Sequence, residues 1–364
     1  MYLRPGHVGG SEVYCRQLLK ELHAMGVPLR LFCTQEAADT FTDLSSADIR
    51  VLSQGGYRLP QRLWAENGAL ARQLYRDPVS VLHSPGNFGA PLLPLRVPQV
   101  ITIHDLQHIH VPELFPRTLR MQRTAWFRGS ILRSVHIIAI STFTGIDVMT
   151  QFGVPPEKVT VVLEGVDRSK THPSTEVQQA RRLEYGLSQP FVYYPATENR
   201  HKNHELLIDA MTAVPEPIEL VLTGRKGMRW DDIQDYAMRA GVKERIRHLG
   251  FVPRSHVFDL LYMARALVFP SLFEGFGLPV LEAMQCDTPA IVSNAASLPE
   301  VAGDAAMLLS PQDASSWANA ISQLHTDNEL RSKFIRLGRK NLDRFSWQRC
   351  AQQTANIYAR VGAR

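Results

Sequence analysis

Short apolar, β-branched runs recur along the whole chain, and helical patterns fill the intervals between them. In the first half the runs fall at 29–33, 79–83, 100–103, 136–140 and 159–162; in the second half at 191–194, 219–222, 266–269 and 290–292. Strand–helix alternation on this scale predicts parallel sheets covered by helices on both faces. Two such series predict two doubly wound domains, separated by the polar stretch 167–189. The chain closes on a helical pattern, Trp347, Ala351, Ala355 and Tyr358, with no strand after it. That helix is free to pack across the domain junction. The expected division is 1–170, 171–345 and a final segment 346–364 that crosses back to the N-terminal domain.

A doubly wound domain normally opens with a hydrophobic central strand, but this sequence opens on the loop Arg4-Pro-Gly-His-Val-Gly-Gly-Ser-Glu12. The first N-terminal strand is therefore expected to be missing. Either the recorded start lies downstream of the natural one, or Met1 to Leu3 supply a short strand.

Composition narrows the class. With 364 residues the chain is long enough for two cores, and 45% hydrophobic with 21% charged residues is ordinary for a globular protein. No apolar run reaches the ~20 residues of a bilayer span, and the N-terminus has no signal-peptide core, so a cytoplasmic location is expected. Cys15, Cys33, Cys286 and Cys350 are scattered, which suggests buried thiols rather than disulfides or a zinc site. The net charge of +5 is modest, but arginines concentrate at Arg117–Arg133 with Leu119, Trp126 and Ile131 between them. On a helix this suits peripheral contact with an anionic membrane or acceptor; a solvated basic face is the bland alternative. No nucleic-acid recognition motif accompanies the charge.

The strongest chemical signal is Phe269-Pro-Ser-Leu-Phe-Glu274-Gly-Phe-Gly-Leu-Pro279-Val-Leu-Glu282, which follows a strand and opens a helix. Pro279 fits the first helical position. Gly275 and Gly277 let backbone N–H groups of Gly275, Phe276, Gly277 and Leu278 approach a ligand, and a helix N-terminus there favours an anion such as a diphosphate. Glu274 and Glu282 flank that turn eight positions apart. Carboxylates accept hydrogen bonds only, so one can hold sugar hydroxyls and the other ribose hydroxyls. A glycosidase pair would also use two carboxylates, but leaves the glycine-rich helix start unexplained.

These residues resemble the Glu-x7-Glu signature of the retaining GT-B glycosyltransferases of family 4. The resemblance extends through Gly9-Gly10-Ser-Glu, Thr102-Ile-His104-Asp-Leu, Ile140-Ser-Thr-Phe-Thr, Glu164-Gly-Val-Asp and His201-Lys-Asn-His. It continues in Leu249-Gly-Phe-Val-Pro253, Ser297-Leu-Pro-Glu-Val-Ala-Gly and Phe345-Ser-Trp347. It implies an α/β fold of two Rossmann-like parallel-sheet domains facing a cleft, with no required metal or cofactor beyond the nucleotide-sugar substrate. By position it places Glu274 on the donor sugar, Glu282 on ribose, and Lys202 on the leaving diphosphate. His104, at a strand's C-terminal end where ligands gather, approaches the donor sugar in the family; a buried structural histidine is the alternative. Gly9 and Gly10 would admit the diphosphate or acceptor at the first helix start, with Ser11 as its N-cap. Val252, in 251–253, is expected at the base through backbone groups.

Where many members carry an arginine five residues before that lysine, this chain has Thr197, and either Arg200 or Arg225 is expected to supply the second positive charge. The Tyr-Pro-Ala-Thr form resembles mannosyltransferases of surface-polysaccharide assembly. The implied reaction is retaining transfer of a sugar, mannose favoured, from a nucleoside-diphosphate sugar to a glycan or polyprenyl-linked acceptor. Two other functions compete with it: a nucleotide-sugar epimerase on the same fold, and a non-catalytic nucleotide-sugar-binding protein. His104, Asp105, His108 and His110 also resemble a metal box, since residues two apart share a face of an extended segment, which would bring His108 and His110 together. Lysine and helix dipoles already neutralise a diphosphate without it.

Overall fold

The computed structural model describes residues 9–41, 44, 47–53, 65–89, 97–168, 172–227 and 229–363. The chain forms two compact units, Met1–Gly165 with Ser346–Arg364, and Val166–Phe345.

In the first unit the strands are β1 (Arg30–Thr34), β2 (Asp48–Ser53), β3 (Leu82–Ser84), β4 (Gln99–Ile103), β5 (His136–Ala139) and β6 (Val159–Val161). Every pairing among them is parallel, β1 with β2 and β3-β4-β5-β6 in order. Strand β4 is buried at all five positions, as a central parallel strand must be. Among the described residues the two sheets are separate. Phe32 and Leu52 nevertheless pack against a cluster of Leu70, Leu74, Leu82 and Val97, so apolar side chains link β1 and β2 to β3. The expectation for Met1 to Leu3 lies outside the described residues.

The helix Gly9–Ala24 buries Tyr14, Cys15, Leu18, Leu19 and Leu22, a stripe at spacings of three and four. Because it begins at Gly9, Ser11 lies inside its first turn and is not the N-cap. The closing helix, Trp347–Gly362, belongs to this unit. Ser346 caps it by accepting from the Arg349 N–H, and its buried face is Trp347, Cys350, Ala351, Thr354, Ile357 and Val361. A β-carbon at Gly165 would stand 2.1 Å from the Trp347 backbone nitrogen, so only glycine lets the two chain segments cross there.

The second unit holds one six-stranded parallel sheet in the order β12-β11-β10-β7-β8-β9. These strands are β7 (Phe191–Pro195), β8 (Glu219–Thr223), β9 (Ile246–His248), β10 (Leu267–Phe269), β11 (Ala290–Ser293) and β12 (Ala306–Leu309). The strands read from the apolar runs are its central four. The edge strands β9 and β12, like β2 above, escaped that reading. An edge strand is half covered, so Arg50 in β2 and Arg247 in β9 interrupt the apolar run, whereas β12, Ala306-Met-Leu-Leu309, is apolar throughout and was missed without such a cause. All four cysteines are buried free thiols.

Candidate active site

In the second unit the C-terminal ends of β7 and β10 bring the two main candidates together. Asn203 adopts a left-handed conformation (φ 58°) and ends the short turn Arg200–Lys202 just before the helix His204–Met211. Its amide donates to the carbonyls of Pro270 (3.2 Å) and Pro311 (2.9 Å), while Tyr194 Oη donates to the Lys202 carbonyl (2.8 Å). Leu272 N–H donates to the His201 carbonyl, closing the turn onto the loop after β10. Thus fixed, Lys202 Nζ donates to Glu274 Oε1 at 2.5 Å, across 72 positions of sequence. Both side chains keep some solvent contact, 18% and 16%. The pair is therefore held and still reachable by a ligand.

The glycine turn is built as its sequence requires, with one shift. The helix is Leu278–Gln285, so Pro279 sits at its second position and Gly277 (φ 111°) precedes it. A β-carbon at Gly277 would meet Leu298 at 2.6 Å in a conformation side chains rarely adopt. Ser297 Oγ donates to the carbonyls of both Glu274 (2.8 Å) and Phe276 (3.0 Å), tying down the loop from the neighbouring segment. That contact was not foreseen, although Ser297 stands in a recognised stretch. Glu282 is buried and paired with Arg254, which is half exposed and directly follows Val252 and Pro253. The expected ribose carboxylate thus already has a cationic neighbour beside the expected base segment.

Arg200 and Arg225 are both exposed. Arg200 lies two positions from Lys202 on the same turn, and the Arg225 guanidinium stacks 5.3 Å from the centre of the Phe251 ring. Phe251 is 64% exposed, which is unusual for so large an apolar side chain.

In the first unit, His104 closes β4 and is buried among polar partners. Its Nε2–H donates to the Pro85 carbonyl (2.8 Å), its backbone N–H to Asn87 Oδ1 (2.6 Å), and Nδ1 lies 3.7 Å from Glu164 Oε1. Burial acts to depress its pKa, but Glu164 and the Pro85 carbonyl outweigh it and hold the imidazole above its ordinary value of 6.5. Glu164 lies three positions past β6, and an acid closely following an apolar strand is the sequence signal for it. Behind it, Thr102 Oγ1 joins Tyr14 Oη (3.0 Å) and His83 Nε2 (2.8 Å), and burial pushes His83 down to about 3. A raised His104 pKa held up chiefly by Glu164 predicts that Glu164→Gln lowers it, because the largest raising contribution is removed while burial still acts and only the Pro85 carbonyl and Asp105 remain against it. Following the His104 ring proton by NMR from pH 4 to 9 checks this. An unshifted titration would disconnect the two residues.

The other histidines of that stretch serve separate ends. Gln107–His110 is helical, so His108 and His110 do not share a face as they would in an extended segment. His108 stacks on Phe127 at 4.8 Å, and His110 Nε2 contacts Asp147 at 2.7 Å. Gly9 and Gly10 are exposed at the start of the first helix.

Comparison with known proteins gives this geometry its context. Residues 8–170 match the model of Glycosyltransferase Family 4, and residues 178–341 that of Glycosyl transferases group 1. The O-antigen chain mannosyltransferase B of Escherichia coli is 31% identical over 83% of this chain and 78% of its own length. An MMP alpha-(1->4)-mannosyltransferase of Mycolicibacterium hassiacum is 25% identical over 100% of this chain and 97% of its own. Among solved structures, Anabaena HepE in complex with UDP and glucose superposes with a TM-score of 0.80 at 19% identity, covering 98% of both chains. The described strands, all parallel, and the two-unit division agree with that fold. The chain belongs to the glycosyltransferases of the GT-B type, with a family 4 domain in its first half and a group 1 domain in its second.

Proposed function

We propose that this glycosyltransferase moves mannose, with retention of anomeric configuration, from a nucleoside-diphosphate sugar to a glycan or polyprenyl-linked acceptor of surface-polysaccharide assembly. The observation that carries the reading is the Lys202–Glu274 pair beside the glycine turn Gly275, Phe276, Gly277 and Leu278. A cation and a set of backbone N–H groups converge where charge grows on a departing diphosphate, and a carboxylate is in place for sugar hydroxyls. Glu282 and the backbone around Val252 receive ribose and base, and Arg200 or Arg225 adds the second charge. For His104 the proposed role is at the donor sugar, and for Gly9 and Gly10 at the diphosphate or acceptor, as the family resemblance implies. The names of the mannosyltransferase relatives favour mannose, and the HepE complex favours a nucleotide donor.

In this reading the protein needs no metal, because Lys202 and the helix start supply the charge stabilisation. Same-face attack, with the donor phosphate taking the acceptor's proton, accounts for retention without a protein nucleophile. A thermal-shift panel of nucleotide sugars, run with chelator, tests the donor: a ligand at ~100 times its Kd stabilises by about 2.7 kcal/mol. No shift with any nucleotide sugar would remove the reading.

The enzyme is further proposed to work on the cytoplasmic side, at an anionic membrane surface. No described helix is long and apolar enough to cross a membrane. The helix Arg117–Arg133 carries five arginines and no acid, which equals the whole chain's net +5. Met121 and Leu132 on it are 72% and 70% exposed. Binding to anionic vesicles is expected at low salt and release at high salt, since the Debye length falls from ~10 Å at 0.1 M to ~3 Å at 1 M. Equal binding to neutral vesicles would contradict it.

A further inference from the structure

Glu198 is a carboxylate only 4% exposed, four positions before Lys202, and no part of the reaction as described uses it. Burying a charge is costly unless partners compensate, so its surroundings must be accounted for. Its Oε2 accepts from the Gly227 N–H at 2.7 Å, and its backbone carbonyl accepts from Arg229 at 3.2 Å. Its Oε1 has no hydrogen-bond partner among the described residues and lies 3.9 Å from His248 Nε2, a buried nitrogen that likewise has none. The tautomer of His248 follows from its other nitrogen. Nδ1 accepts from the Gly250 N–H (3.0 Å), so in the neutral ring the proton sits on Nε2, facing the carboxylate. Burial and Lys226 push His248 down to about 4, which keeps it neutral.

Three chain segments meet at this carboxylate: 196–202 after β7, 224–229 after β8, and 248–253 at the end of β9. Backbone bonds already join their bases, Ala196 N–H to the Thr223 carbonyl and Gly224 N–H to the Gly250 carbonyl, both at 2.9 Å. Beyond those bonds Glu198 reaches from the first segment to the second at Gly227 and faces His248 on the third. These same segments carry Lys202, Arg225 and Val252. We propose that Glu198 is a positioning residue of the donor site, its ionised carboxylate holding the Gly224–Arg225–Lys226–Gly227 turn against the segments that bear Lys202 and Val252. The proposal rests on the donor-site reading above.

The charged groups facing Glu198 are Lys226, Arg229 and Asp231 on the 224–231 segment, with His248 opposite. Burial raises its pKa above the ordinary 4.5; the Gly227 bond, Lys226 and Arg229 act against that rise, and Asp231 adds to it. A raised folded value has a definite sign. The residue's contribution to stability is present below pH 4.5 and is lost as pH rises through the folded value. Donor affinity should do the opposite and rise over that window, because the anchoring form is the ionised one. A purely structural carboxylate would move both together.

The test is calorimetric binding of UDP and GDP, with donor kinetics, on the wild type, Glu198→Gln, Gly227→Ala and Lys202→Ala. Glutamine keeps one acceptor for Gly227 but sets an NH2 against the His248 Nε2–H. Loss of a charged hydrogen bond of this kind should weaken nucleotide binding about tenfold and raise donor KM in step, with kcat within about threefold. The acid limb of donor KM should vanish in that variant. Gly227→Ala keeps the carboxylate but puts a methyl 3.2 Å from its Oε2, and should weaken binding in the same direction. Wild-type affinity in Glu198→Gln, or an acid limb that survives it, would overturn the proposal while a Lys202→Ala defect left the donor site standing. If the wild type binds neither nucleotide, both readings fall together.

Discussion

Replacing Glu274 with alanine is expected to reduce transfer about 10³-fold, at the upper end of what one preorganised polar contact contributes, with the melting temperature changed by only a few degrees. The asymmetry follows from where the residue sits. The loop that carries Glu274 is held by its own backbone, through Ser297 Oγ on the Glu274 and Phe276 carbonyls and through the helix start at Leu278. The side chain adds one ion pair at 16% exposure, where solvent takes over much of what is lost. Steady-state rates beside a melting curve decide the matter. Turnover near the wild-type level would remove Glu274 from the site, and a melting loss in proportion to the rate loss would make it a structural acid.

Lys202→Ala should slow transfer by ~10²-fold or more, chiefly in kcat, because the charge it meets is larger in the transition state than in the ground state. The effect should be smaller than for Glu274 if the arginines at 200 and 225 share the diphosphate. It should also be less than additive with Glu274→Ala, since each single variant already breaks the one 2.5 Å contact. A double-variant cycle checks this. Fully additive losses would mean that the two side chains act at separate places and that their pairing has no part in the reaction.

How much of this could be read before the structure differs from residue to residue. The central strands of the second unit were legible because burial on both faces leaves an uninterrupted apolar run, as in Phe191-Val-Tyr-Tyr and Ala-Leu-Val-Phe269. Edge strands β2 and β9 were not, since half-covered positions admit Arg50 and Arg247. The glycine turn was legible because Gly277 is demanded by backbone geometry, which leaves a mark in the sequence. Its start was misplaced by one position, and the first helix, expected to begin after a Ser11 cap, already includes Gly9, three positions earlier than Glu12, because helix ends are set by hydrogen bonds that several neighbours could supply. Long-range polar pairs left no such mark. Nothing at Glu282 announces Arg254, nothing at His104 announces Glu164, and the meeting of Glu198 with Gly227 depends on three strand ends being adjacent in the sheet.

The most direct measurement is acceptor-dependent release of nucleoside diphosphate from GDP-mannose and from UDP-glucose, in chelator, by the wild type and Glu274→Ala, with the product linkage read by proton NMR. Mannose-terminated glycans serve as acceptors. The account predicts release by the wild type alone, faster from GDP-mannose, and a new linkage of the same anomeric configuration as the donor. Equal release by Glu274→Ala, an inverted linkage, or turnover only after a divalent ion is restored would contradict it.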